Sequence, residues 1–103
     1  MLAKVKLAMR ISTDVFDAEI LDLIAAAIAD LKLAGPSFDA IPVTDAQQAV
    51  TDYTIADPLV ARAVVTYCRM SFGSPADYDK LKAAYDEQKG QLRETSEYGM
   101  EAL

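Results

Sequence analysis

The chain has 103 residues, enough for one domain with a modest core and too few for a second. Hydrophobic residues make up 52% and charged residues 25%, a composition that suits a folded globular protein and excludes a disordered one. The net charge of −6 and the lack of histidine argue against wrapping phosphates and against the usual neutral-pH general base.

The charge is unevenly spread. Residues 1–11 carry Lys4, Lys6 and Arg10 and no acid. Residues 12–61 carry nine acids and only Lys32, and the remainder is nearly balanced. A solvated helix face is the ordinary reading of three early cations. The single cysteine, Cys68, excludes an internal disulfide and a Cys-rich zinc site, and its apolar surroundings predict a buried thiol. No apolar run approaches the roughly 18 residues of a membrane span, and the first residues lack the pattern of a secretory signal. The expectation is a soluble protein made in the cytoplasm.

In chain order, "LAKVKLAMRI" places Leu2, Val5, Met9 and Ile11 at helical spacing, with no glycine or proline to interrupt them. "STD" then breaks the pattern and offers Ser12, Thr13 or Asp14 as the next N-cap. From there to Gly35-Pro36 runs the clearest helix. Phe16, Ile20, Leu23, Ala27 and Leu31 form its stripe, Ile24 and Ile28 widen it, and acids crowd its first turns. The width predicts a central helix. In residues 36–56, "AIPVT" reads as a brief extended segment. Thr44 followed by Gln47 reads as a capping box opening a short helix through about Tyr53.

Asp57-Pro58 opens another helix, lined by Val60, Val64, Tyr67 and Cys68 and closed by Gly73. Ser74-Pro75 opens the last one, with Asp77 as its third residue and a stripe of Tyr78, Leu81, Tyr85, Gln88 and Leu92. Asp77 with Lys80 and Asp79 with Lys82 suit its exposed side. Gly90 weakens it by about 1 kcal/mol, and residues 94–103 read as a mobile or partner-docking tail. The predicted fold is all-α: a single domain, 1–103, of four to five helices, with a long central helix and a long C-terminal one.

The chemistry available is thin. There is no phosphate-binding glycine loop and no activated serine motif, and Cys68 has no histidine partner. Asp14, Asp17, Asp22 and Asp30 lie along a helix, without the order or glycine of a calcium loop. Most aromatics fall on core stripes, and Tyr98 does not. No enzyme, cofactor or metal site is expected.

Three stretches in order, "RISTDVFDAEILDLIAAAIADL", "DPLVARAVVTYCRMSFGSP" and "YDKLKAAYDEQKGQLRETSEYG", resemble the small head–tail connector (head-completion or adaptor) proteins of long-tailed bacteriophages. The likeness covers most of residues 7–99 and rests on the Phe16-Asp17 helix start, the Phe72-Gly73 stop and the Tyr78–Tyr85 helix. It implies an α-helical virion protein with no catalytic residues and no cofactor. Copies would form a ring of about a dozen subunits beneath the portal protein, extend the DNA channel and meet a stopper or tail protein. DNA would pass without specific binding, and assembly would take place in the host cytoplasm.

On that reading, Lys4, Lys6 and Arg10 facing Asp14 and Asp17 of a neighbour are candidates for the subunit interface. Leu92, Arg93, Tyr98, Met100 and Leu103 are candidates for portal docking. The rival expectation is a small acidic helical adaptor or regulator binding one protein partner.

Overall fold

The structure is a computed structural model that describes the backbone of residues 1–102 and the side chains of residues 1–94. Its elements are α1 (Leu2–Met9), α2 (Asp17–Leu33), β1 (Ile41–Thr44), β2 (Val50–Thr54), α3 (Pro58–Ser71) and α4 (Tyr78–Ala102). The all-α expectation is therefore wrong, because a two-stranded antiparallel hairpin stands between α2 and α3.

The overturned segment is Thr44–Tyr53. Thr44 and Gln47 do not form a capping box. Instead the Asp45 carboxylate accepts hydrogen bonds from the Gln47 and Ala49 N–H groups, at 2.9 and 3.0 Å, and Gln48 turns to φ 65°. That side-chain clasp reverses the chain and competes directly with helix initiation. On either side lie β-branched and aromatic residues, "IPVT" and "VTDYT", which favour a pleated strand. Ile41 pairs with Thr54, Pro42 with Tyr53 and Val43 with Asp52. An irregularity then shifts Thr44 onto Val50. "AIPVT" is extended as expected.

The helices follow their local signals, with shifted starts. α1 buries Val5 and ends in a left-handed Arg10 (φ 59°). The Arg10 and Ile11 N–H groups donate to the Leu7 and Lys6 carbonyls, the double bond of a Schellman stop. α2 starts at Asp17, not near Asp14, and none of Ser12, Thr13 or Asp14 is its N-cap. Thr13 Oγ1 accepts from the Val15 N–H and the Asp14 carbonyl from Asp17, so these residues serve a turn ahead of the helix. In α3, the Asp57 carboxylate accepts from the Leu59 and Val60 N–H groups and Pro58 takes the first position, as the sequence predicts. α4 starts at Tyr78, after a turn in which the Pro75 and Asp77 carbonyls accept from Tyr78 and Leu81. Its helical backbone passes Gly90 without interruption, so the weakening expected there does not end it.

Ile20, Ile24, Ala27, Ile28 and Leu31 of α2 meet Val60, Ala63, Val64 and Cys68 of α3, with Val5, Tyr85 and Leu92 closing the core. α2 is touched on more than one side, by α1, α3 and β2, as its wide stripe predicts, and α3 packs on α1, α2 and α4. Phe16, predicted as core, is 41% exposed and meets Phe72 edge to face at 5.4 Å. Tyr78 is likewise exposed, whereas Leu81 and Tyr85 are buried.

Candidate interaction surfaces

Two clusters of charged and polar groups join elements distant in the chain. In the first, the Tyr85 hydroxyl donates to Asp30 Oδ2, and Lys89 Nζ approaches the same oxygen at 3.2 Å, joining α4 to α2. The Tyr85 hydroxyl, more than any other group, holds the Asp30 carboxyl below its usual range. Burial and the neighbouring carboxylate push the Tyr85 phenol up. In the second, the Met1 ammonium donates to the Tyr53 carbonyl (3.0 Å) and lies 3.2 Å from Asp52 Oδ1, which also accepts from the Leu2 N–H. Burial opposes ionisation of Asp52, but these bonds and that of the Tyr53 N–H outweigh it and lower its pKa. Both clusters tie elements together and leave no free group aimed at a substrate. Cys68 is buried, and desolvation pushes its thiol up to about 12. Among the described residues no three metal-ligating side chains converge.

Of the expected subunit-contact residues, Lys6 Nζ lies 2.7 Å from Asp17 Oδ1 of the same chain, so this pair ties α1 to α2. Lys4, Arg10 and Asp14 are exposed. Of the expected docking residues, Leu92 is only 4% exposed and belongs to the chain's own core. Arg93 Nε donates to the Ala34 carbonyl at 3.0 Å, where it satisfies the end of α2. The side chains of Tyr98 and Met100, and Leu103 entirely, lie outside the described residues. On α4, Lys82 pairs with Asp86 at 3.1 Å.

Two surfaces escaped the sequence reading. The hairpin leaves Ile41 60% and Val43 42% exposed, on one side of β1 by strand alternation, and Val50 is exposed on β2. No lysine or arginine occurs between Lys32 and Arg62, while Asp39 and Asp45 flank β1. "AIPVT" reads as extended, but the β-branched and aromatic signal of its partner strand, "VTDYT", is masked by the apparent capping box. At the far ends of α1 and α3 lies an open cleft of about 660 Å³. Met9, Ile11, Phe72 and Leu81 give it apolar walls, and Arg10 and Arg69 outnumber the one carboxylate in its lining, Asp77, so it is net cationic. It assembles residues 60 positions apart in sequence, which no local pattern announces.

The described surface thus carries mixed charge and exposed apolar side chains, while Lys6, Asp17, Asp30 and Lys89 are engaged in ion pairs within the fold. Comparison with protein families gives a match to phage connector proteins over residues 1–99. The chain belongs to that family, a structural family of the phage head–tail junction. Searches of curated proteins and of solved structures found no match. Among the described residues no helix is long and apolar enough to cross a membrane.

Proposed function

We propose that the chain assembles with copies of itself into a ring of about a dozen subunits under the phage portal, extending the DNA channel toward a stopper or tail protein. The observation that carries this reading is the family match over nearly the whole chain. The net charge of −6 supports it, because a passage that DNA must slide through works best without a cationic grip on phosphates. The basic α1, with Lys4 and Arg10 exposed, and the acidic middle of the chain supply complementary charge for a head-to-tail contact. Lys6 and Asp17 take part only if they exchange their partner within the chain.

The portal-docking end is the chain beyond Arg93, where Tyr98, Met100 and Leu103 follow Leu92, the last core residue among those described. The test is native mass measurement and negative-stain imaging of the full chain, with and without portal, beside a chain truncated after Arg93. The truncated chain should stay folded, since Leu92 and the Arg93 hydrogen bond remain, and should lose portal binding. Normal portal binding by it would refute the docking assignment. Absence of self-association, alone and on the portal, would refute the ring.

A further inference from the structure

We infer that the β1–β2 hairpin of one copy seats in the α1–α3 cleft of the next. This rests on the ring reading and names the surfaces that would build it. The hairpin has reason to be covered. A lone two-stranded hairpin is marginal in water, and this one keeps Ile41, Val43 and Val50 exposed while its main contact with the helices runs from β2 to α2.

The cleft offers what those side chains lack. Met9, Ile11, Phe72 and Leu81 supply apolar walls. Arg10 and Arg69 face it, and among the described residues neither is in an ion pair. The hairpin carries acid at Asp39 and Asp45 and no cation. Charge therefore sets the orientation while apolar contact supplies the burial.

The placement of the two surfaces adds an independent argument. The hairpin is bound at the start of α1, through Met1 to Tyr53 and Asp52, and it leads directly into the start of α3. The cleft is built from the ends of the same two helices. At about 1.5 Å per residue, α1 and α3 separate hairpin from cleft by roughly 12 to 21 Å. A hairpin so placed cannot reach its own cleft. It can reach a neighbour's, and repeating that contact gives a heterologous chain that closes into a ring when the rotation per copy allows.

Two assembly variants test this by complementation. One carries Val43→Glu and Val50→Glu in the hairpin; the other carries Arg10→Glu and Arg69→Glu in the cleft. All four side chains are exposed, and circular dichroism would verify folding. Each variant alone should lose self-association by about tenfold or more relative to the wild type. An equimolar mixture should form one-to-one pairs and nothing larger, because one intact hairpin meets one intact cleft. Sedimentation velocity reads both outcomes. Wild-type association that survives both sets of substitutions, or a mixture that stays monomeric, overturns the hairpin–cleft contact and leaves the ring reading standing. A wild-type chain that is monomeric at every concentration and on the portal overturns both.

Discussion

Asp30 receives the Tyr85 hydroxyl and the Lys89 ammonium on one oxygen, an arrangement that favours the ionised carboxyl. Its pKa in the folded chain is lowered, chiefly by the Tyr85 hydrogen bond. The native state thus binds this proton less tightly than the unfolded chain does. Its contribution is fully present above the unfolded carboxylate range, near pH 4, and is lost as pH falls through the lower native value. Urea midpoints measured from about pH 6 down to about pH 2 should therefore fall less steeply for Asp30→Asn than for the wild type. Equal slopes would show that the contact does not bias ionisation. Asp30 stands in the helix predicted from the sequence, and its acidity was visible there. Its bond to Tyr85, 55 positions later, was not, since nothing local signals where α4 crosses α2.

At the scale of elements, the hairpin separates two readings of the same residues by the sign of one substitution. Gln48 holds φ 65°, a conformation that costs a side-chain-bearing residue about 1 kcal/mol and glycine little. Gln48→Gly should stabilise the chain by up to about 1 kcal/mol in a urea titration. In the helix suggested by Thr44 and Gln47, the same change would destabilise by about 1 kcal/mol. The capping-box pattern misled because it is a statement about four residues, and Asp45 takes the Gln47 N–H that Thr44 would have accepted, together with that of Ala49, in a turn. α3 shows the contrary case. Asp57, Pro58 and Gly73 are read correctly because cap, first turn and stop all lie beside the residues they govern.

Across the whole molecule, a flat envelope of 44 × 38 × 18 Å, the hairpin is bound at the starts of α1 and α3 and the cleft lies at their ends. The link that holds the hairpin there is Asp52, which accepts from Leu2 and Tyr53 N–H groups and pairs with the Met1 ammonium. Asp52→Ala removes the acceptor of the Leu2 and Tyr53 N–H groups while the Met1 ammonium keeps its bond to the Tyr53 carbonyl, at a cost of about 1–3 kcal/mol. Hydrogen exchange should then quicken in both β2 and α1, and unchanged protection in α1 would show that Asp52 is not what holds the hairpin there.

The existence and stops of α1, α2 and α3 and the stripe of α2 from Ile20 to Leu31 were readable in advance, because 3.6-residue periodicity and capping are set by neighbours in the chain. Family membership was readable for a related reason: the landmarks "RISTDVFDAEIL" and "DPLVARAVV" are themselves caps and core positions in order. The hairpin, the inward turn of Leu92, the Lys6–Asp17 pair and the cationic cleft came only with the packed molecule. The hairpin is local but competed with a helix signal over the same residues; the other three depend on groups farther apart in sequence meeting in space, and burial and charge pairing are properties of that meeting.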